Sequence, residues 1–345
     1  MHNIISDFTK QLWRSNRRTK EKPDGWISGN AVCCQHRGER ADTKGRGGLI
    51  INQTGVATYS CFNCSFKASF QPGYHLSFKF RKLLQWMGAS DVDINRLVLE
   101  ALRLKEYIGE TQPELVVKEK VCFVPVALPP GAKTFNEILQ ANTDEVLPID
   151  FVAGVKYVHN RNIDLGVYTF YWAPSRRNNM LHRVIVPYYW ENQLVGYTAR
   201  AVDDTITPKY FNQVDSHFVF NVTAQTKERK FVIVCEGVFD AMSIDGVAVM
   251  HNTLSEQQVD IIDALGKEVI VVPDNDDGPG ATLIQHAIDC QWAVSFPIWF
   301  DDPDCKDVND AVCKYGKLFV LKSIIEGKEV SKLRIEIKKK RLYKQ

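Results

Sequence analysis

Apolar positions recur at two different periods along the chain, and the changes of period mark out its parts. Residues 1–75 carry only short β-like runs, 48–53 and 56–61, between polar, Gly-rich turns. That is too little apolar material to make a core unaided, so this segment calls for a staple. From 76 to about 107 the spacing becomes helical, with Phe78, Phe80, Leu83, Leu84, Trp86 and Met87, then Ile94, Leu97, Val98, Leu99 and Leu102. Residues 76–119 therefore read as a helical connector. The body runs over 120–330. In it, 183–189 and 194–202 form a hairpin turning at Glu191-Asn192-Gln193. After the hairpin, strands expected at 231–235, 247–250, 268–272 and 293–300 alternate with helices at 239–244, 255–265 and 281–290. The second of these helices opens on Ser255 with Gln258 three residues on, a capping-box spacing. Fully apolar strands alternating with helices predict parallel strands buried on both faces. The expected class is thus α/β, α+β overall. Ligands in such sheets collect at the carboxyl ends of the strands.

Composition adds little until it is mapped. The 345 residues allow two domains or one large and one small; the 45% hydrophobic and 24% charged shares are ordinary for a globular protein. Net charge is +2, but the basic residues gather at the ends: Lys10, Arg14, Arg17, Arg18, Lys20 and Lys22 at one, and Lys332, Arg334, Lys338, Lys339, Lys340, Arg341 and Lys344 in a tail over 331–345. Basic ends on a nearly neutral body suggest contact with a polyanion. No stretch is apolar for long enough to span a membrane, and residues 1–10 have no apolar signal core. Nine cysteines, four of them at metal spacing and five scattered, are a reducing-compartment pattern.

Three of these cysteines and a histidine form the spaced pairs Cys33-x-x-His36 and Cys61-x-x-Cys64, with 24 residues between the pairs. Tetrahedral zinc wants four such ligands, and each short spacer presents two of them together. Cys34 is an alternative to Cys33, which is preferred for its two-residue spacer. Tyr59 and Phe62 beside the second pair offer rings for base stacking or for packing. Downstream, Glu236 (with Gly237 next and Asp240 four on), Asp274 with Asp276, and Asp307 with Asp310 each follow an apolar run. Carboxylates drawn to one end of a sheet repel, and magnesium relieves that by bridging them to phosphates. Arg183, Arg200 and Lys209, on or just after the hairpin, are the cations available to a triphosphate.

These residues resemble the bacterial-type (DnaG-like) DNA primases, especially the small stand-alone primases of T-even-like phages. The Cys-x2-His, Cys-x2-Cys set is similar to that family's zinc ribbon. Glu236-Gly-Val-Phe-Asp240 resembles the toprim E-G-x-x-D motif, Asp274-Asn-Asp276 its D-x-D, and Lys306-Asp-Val-Asn-Asp310 its K-D-x-[DN]-[DE] segment. Gly196-Tyr-Thr-Ala-Arg200 and Pro208-Lys-Tyr210 resemble the basic motifs of the polymerase core. Asn309 stands where a second acid is usual, and Asp277 and Gly278 replace a basic residue and an alanine. The resemblance implies a zinc-binding domain over 1–75 and an RNA polymerase core with a toprim Rossmann-like sheet at about 229–315. It implies catalytic Glu236, Asp274 and Asp276, magnesium (or manganese) on these and Asp307, one structural zinc on Cys33, His36, Cys61 and Cys64, and nucleotide or primer contacts from Arg200, Lys209 and Arg183. The implied partners are single-stranded DNA, ribonucleoside triphosphates, a separate replicative helicase (no Walker-A sequence occurs) and a single-strand-binding protein, in the cytoplasm of a bacterial host. Two other classes remain: a toprim nuclease, and a non-catalytic zinc/toprim DNA-binding protein.

Overall fold

The computed structural model describes residues 3–15, 18–74, 76–111, 121–141, 146–203, 205–251, 253–275 and 280–342. They build three five-stranded sheets, each with its own helices.

The N-terminal unit opens with helix α1 (Ile4–Ser15), where the pattern had suggested only a basic end. Ile5, Thr9 and Trp13 fall four apart on one face and are buried, while Lys10 and Arg14 take the other. The helix lies on an antiparallel sheet of β1 (Lys20–Glu21), β2 (Ile27–Gly29), β3 (Gly47–Ile51), β4 (Ala57–Cys61) and β5 (Lys67–Phe70), ordered as in the chain. Helices α2 (Phe78–Trp86) and α3 (Asp91–Thr111) follow. Their Phe80, Leu83, Leu84, Ile94, Leu97 and Ala101 join Trp13, Leu49, Tyr59, Phe66 and Phe70 in one cluster. The helices expected as a connector are thus a wall of the N-terminal core, and with them this unit has apolar material of its own. Residues 112–119 of that expected connector lie outside the described residues.

The second sheet holds β6 (Lys133–Thr134), β7 (Tyr171–Trp172), β8 (Arg183–Trp190), β9 (Gln193–Ala201) and β10 (Tyr210–Gln213), in the order β10-β9-β8-β7-β6. Helices α4 (Phe135–Ala141) and α5 (Ile149–Asn160) accompany it. The expected β8–β9 hairpin is present. Glu191 and Asn192 at its tip both have positive φ, 48° and 65°, as a two-residue turn matched to strand twist requires.

The third sheet runs β12 (Val247–Ala248), β11 (Phe231–Cys235), β13 (Glu268–Val271), β14 (Ala293–Ser295) and β15 (Lys328–Glu329). The first four are mutually parallel and β15 is antiparallel. Helices α6 (Val238–Ile244), α7 (Glu256–Ala264), α8 (Gly280–Asp289), α9 (Val308–Tyr315) and α10 (Lys317–Glu326) cover both faces. Val232, Val234 and Val271 face one cluster and Ile233, Cys235, Ile270 and Val272 the other, so the apolar runs are buried on both sides as their pattern required. The last parallel strand is shorter than expected. Pro297 cannot extend a ladder, and 298–301 turn into a short 3-10 helix that buries Trp299. The basic C-terminal stretch is a helix, α11 (Lys332–Leu342), which packs on α8 and buries Ile335.

The N-terminal unit meets the parallel-sheet layer through a few polar contacts. Gln291 Nε2 donates to the Ser65 carbonyl at 3.2 Å, and its Oε1 accepts from Lys67 N. Arg81 donates to the Gly266 carbonyl, and Lys79 lies 3.9 Å from Asp263. Among the described residues no helix is long and apolar enough to cross a membrane.

Candidate metal centre and acidic cleft

Four sulfurs converge at one end of the N-terminal sheet. Cys61 closes β4 and starts a tight turn through Cys64 to Ser65, whose φ is +58°. Opposite it, Cys33 and Cys34 lead into a single 3-10 turn (Gln35–Arg37) ended by Gly38 with φ +77°. The Sγ atoms of Cys33, Cys34, Cys61 and Cys64 all lie within 4.8 Å of one another, with Cys33 to Cys64 at 3.4 Å and Cys34 to Cys61 at 3.6 Å. Zinc held tetrahedrally by four thiolates at about 2.3 Å puts the sulfurs about 3.8 Å apart, so the cluster fits one structural zinc. Its electrostatics agree. Hydrogen bonding to Cys61 and Cys64, then burial, pushes the Cys33 thiol far up; burial pushes Cys34 up to about 12; hydrogen bonds from Cys33 and Cys64 hold Cys61 down at about 2. Four thiolates at these distances would repel, and a divalent cation relieves that. Asn63 adds N–H contacts to Cys61 Sγ (3.4 Å) and Cys34 Sγ (3.5 Å), the outer support that orients metal ligands.

His36 does not join this group. Its exposed ring stacks on Trp86, centroids 5.0 Å apart and planes 6° from parallel. Burial, then Lys82, lowers its pKa. The 3-10 turn carries the backbone away after residue 34, so the first pair of ligands is adjacent, Cys33 with Cys34, in place of the expected C-x2-H.

At the carboxyl ends of the parallel strands a second charged site forms. Glu236 follows β11, and its Oε1 lies 3.4 Å from the backbone N of Asp274, which follows β13. Gly237 then starts α6; a Cβ there would sit 2.4 Å from Asp240 Oδ2, so only glycine lets Asp240 fold back on the strand end. Asp240 is 6% exposed and accepts from Asn309 N at 2.9 Å. Asp307 caps α9, accepting from Asp310 N at 2.7 Å, and shares a hydrogen bond with Asp240. Burial, then Asp307 and Asp274, pushes the Asp240 carboxyl well up, and burial raises Asp307 as well. The thiol of Cys235, at the end of β11, is raised by burial and then by Asp240, Asp274, Asp307 and Glu236. All four carboxylates therefore bear on one strand end. No three of them approach within 4.8 Å among the described residues, and the four-cysteine group is the one cluster that tight. Asp276, with Asp277 and Gly278, lies outside the described residues.

Facing these acids is a wall of which motif reading supplied Arg200, Lys209 and Tyr210 but not Arg161. Arg161, one residue past α5, lies over the rings of Tyr157 (4.9 Å) and Phe239 (5.1 Å) and donates to Asn309 Oδ1 at 2.7 Å. Asn309, 2% exposed, donates from Nδ2 to the Arg161 carbonyl (2.8 Å) and Ser243 Oγ (2.7 Å). The residue that departs from the acidic motif is thus a buried clamp between α5, α6 and α9. Nothing local in the sequence marks Arg161, because Asn309, the side chain it bonds, is 148 residues away. Arg200 extends the wall. Its Nε donates to Tyr157 Oη at 2.7 Å, and its guanidinium lies 4.7 Å from the Tyr210 ring centre. Lys209, exposed, precedes Tyr210 at the start of β10.

Arg183 belongs elsewhere. It is 1% exposed, and its guanidinium donates to the carbonyls of Asn178 (3.1 Å), Ala199 (3.1 Å), Pro208 (2.7 Å) and Lys209 (3.3 Å). Buried, with four of its five N–H groups on backbone carbonyls, it ties the 208–209 turn to the hairpin, in place of the nucleotide contact expected of it.

No family model matches the chain, and no curated protein matches it. Solved structures are similar to it. One is an Aquifex aeolicus primase comprising zinc-binding and RNA polymerase domains (TM-score 0.45, 16% identity, 99% of this chain and 91% of that one). Another is a DnaG catalytic core (TM-score 0.44, 16% identity, 56% and 76%). A third is the RNA polymerase domain of Mycobacterium tuberculosis primase DnaG (TM-score 0.43, 17% identity, 56% and 79%).

Proposed function

We propose that this chain is a DNA primase, a DNA-dependent RNA polymerase that joins ribonucleotides into short primers on single-stranded DNA. One observation carries the reading: Glu236 reaches the backbone of Asp274 after the next strand, Asp240 folds back on the end of β11 and meets the start of α9 that Asp307 caps, and Arg161, Arg200 and Tyr210 line the facing wall. Four carboxylates against so few cations are an oxygen-only donor set with excess negative charge, which suits magnesium. Glu236, Asp274, Asp307 and Asp276 are the residues that would hold it. When bound, such ions lower the pKa of an attacking hydroxyl and balance charge on a leaving pyrophosphate.

The chain's own residues do the rest. Arg200 is fixed by Tyr157 and Tyr210, so its charge is pre-placed beside the acids at little entropic cost. Exposed Lys209 supplies a further cation for the triphosphate or the nascent primer. The 3′-hydroxyl of one nucleotide attacks the α-phosphorus of the next, and pyrophosphate leaves. No side-chain nucleophile takes part. The zinc module contacts the template, and a separate replicative helicase and a single-strand-binding protein are the partners expected of this activity. The motif set, which resembles that of the stand-alone phage primases, favours a phage-encoded enzyme working in the cytoplasm of a bacterial host.

The test is incubation with single-stranded DNA, labelled ribonucleoside triphosphates and magnesium. Primer-length RNA supports the reading. Template cleavage without synthesis would favour the nuclease, and binding without either reaction a non-catalytic DNA-binding protein.

A further inference from the structure

Asn309, in the first turn of α9, makes a set of hydrogen bonds that only an amide can make. Nδ2 donates to the Arg161 carbonyl (2.8 Å) and to Ser243 Oγ (2.7 Å), while Oδ1 accepts from Arg161 Nη1 (2.7 Å). The backbone N of the same residue donates to Asp240 Oδ1 at 2.9 Å. A carboxylate accepts but cannot donate. The acid usual at this place in the motif would therefore turn an oxygen onto the Arg161 carbonyl, in a setting that buries the side chain. With both amide hydrogens committed and a guanidinium against its oxygen, Asn309 is also a poor seat for a metal ion. Where the motif carries a second acid, this chain carries a residue that ties the acids to a cation.

That cation is held but not used up. Arg161 is half-buried over Tyr157 and Phe239, whose rings meet edge to face at 5.7 Å. Tyr157 accepts from Arg200 Nε, and Arg200 lies on Tyr210, so the contacts run unbroken from Asn309 along the basic wall. Among the described residues Arg161 makes one side-chain hydrogen bond, to Asn309, and no ion pair. Four of its five N–H groups thus remain for a ligand, the reverse of Arg183, which spends four on backbone. Burial opposes its charge, but Tyr157, Asp307, Tyr210 and Asp240 outweigh burial and raise its pKa.

We propose that Asn309 is a positioning residue for nucleotide joining: its amide fixes Arg161 beside the acidic strand end, where the open guanidinium meets the phosphates of an incoming ribonucleoside triphosphate. A planar guanidinium already fixed in place loses little freedom when it closes on phosphate, so the amide acts on nucleotide affinity through Arg161. Because Asn309 N, and not its side chain, holds Asp240, the acids keep their places when the amide is removed. The inference rests on the primase reading and deepens it, naming what aligns the cations with the acids.

The experiment titrates a fluorescent ATP analogue with the full, zinc-loaded chain in magnesium, read by anisotropy. It compares the parent with Asn309→Ala, Asn309→Asp, Arg161→Ala and the double variant Asn309→Ala/Arg161→Ala. Asn309→Ala should lose about tenfold in affinity, the scale of one lost hydrogen bond to a charged group. Arg161→Ala should lose at least as much. Adding Asn309→Ala to Arg161→Ala should change affinity by less than about twofold, the mark of two residues acting as one. In primer synthesis the loss should fall on the nucleotide KM and leave kcat and the half-saturating magnesium concentration in place. Asn309→Asp should also weaken nucleotide binding, because its carboxylate competes with phosphate for Arg161. Losses that add in the double variant, or parental affinity in Asn309→Ala whatever its melting temperature, overturn the inference and leave the primase reading standing. An Asn309→Asp chain that binds magnesium and nucleotide more tightly than the parent also overturns it, since the position would then be a metal seat. Should Asn309→Ala fail to fold, Ser243→Ala removes an acceptor that orients the amide. It should weaken analogue binding in the parent and leave Arg161→Ala unchanged, and the opposite pattern overturns the inference. A parent that shows the non-additive losses yet makes no primers keeps the coupling in nucleotide binding and defeats the primase reading.

Discussion

At the scale of single residues, the acids and the cysteines were legible because each class needs its own spacing and its own place after a strand. Their exact partners were not. The choice between His36 and Cys34 depends on a 3-10 turn that no spacing rule encodes, and Trp86, 50 residues away, supplies the alternative surface for the imidazole. The four-cysteine geometry predicts that Cys34→Ser and Cys64→Ser each lose the bound zinc, while His36→Ala keeps one equivalent, as counted by atomic emission on the purified chains. Retention of zinc by Cys34→Ser together with loss in His36→Ala would restore the C-x2-H set. At the acidic end, Asp274→Asn should cut nucleotide joining by at least about 10³-fold, the scale expected when a catalytic metal's ligand is lost. Affinity for single-stranded DNA should stay within about twofold, because the grip is basic and the chemistry acidic. Arg161 and Asn309 escaped the sequence for a plain reason: a hydrogen bond across 148 residues leaves no local trace.

Among the elements, those with a period and a punctuation mark were read well. The α7 helix opens with the reciprocal Ser255–Gln258 capping box that its spacing announces. Ser255→Ala should cost about 1 kcal/mol in denaturant unfolding; a change under about 0.3 kcal/mol would mean that the cap is redundant. The β8–β9 hairpin followed from two apolar runs and a polar tip. Helix α1 did not, because its basic face hid a stripe of Ile5, Thr9 and Trp13. The end of α6 gives a test with a defined pH sign. Asp245, in the left-handed conformation, accepts from Tyr168 Oη (3.0 Å) and pairs with Arg229 (3.2 Å) and Lys317 (2.6 Å). Burial opposes its ionisation, but Lys317, Tyr168 and Arg229 outweigh burial and hold its pKa below the ordinary value. A depressed carboxyl stabilises the fold above its unfolded pKa near 3.9 and loses that effect as pH falls through the lower, folded value. Asparagine also tolerates the left-handed backbone. Asp245→Asn should therefore lower stability by about 1–3 kcal/mol at pH 7, with the gap from the parent closing below about pH 4. A gap that stays constant with pH would show that shape, and not charge, is what matters there.

For the molecule as a whole, the pattern distinguished an N-terminal part of short β-like runs from a parallel-sheet part, and both are present. It misplaced the border between them. Helices α2 and α3 are amphipathic, and amphipathicity says that a helix must pack without saying against what; the burial of Phe80, Leu84 and Leu97 with Tyr59 and Phe70 assigns them to the N-terminal core. The arrangement joins a thiol cluster suited to zinc and an acidic strand end faced by fixed arginines. The measurement that bears most directly on the proposed activity is primer synthesis by the parent chain and Asp274→Asn, side by side, on single-stranded DNA with labelled ribonucleoside triphosphates and magnesium. Short RNA that requires both template and magnesium, made by the parent and absent with Asp274→Asn at undiminished DNA binding, is the predicted result. Equal amounts of RNA from the two chains, or none from a parent that holds its zinc and binds template, would contradict it.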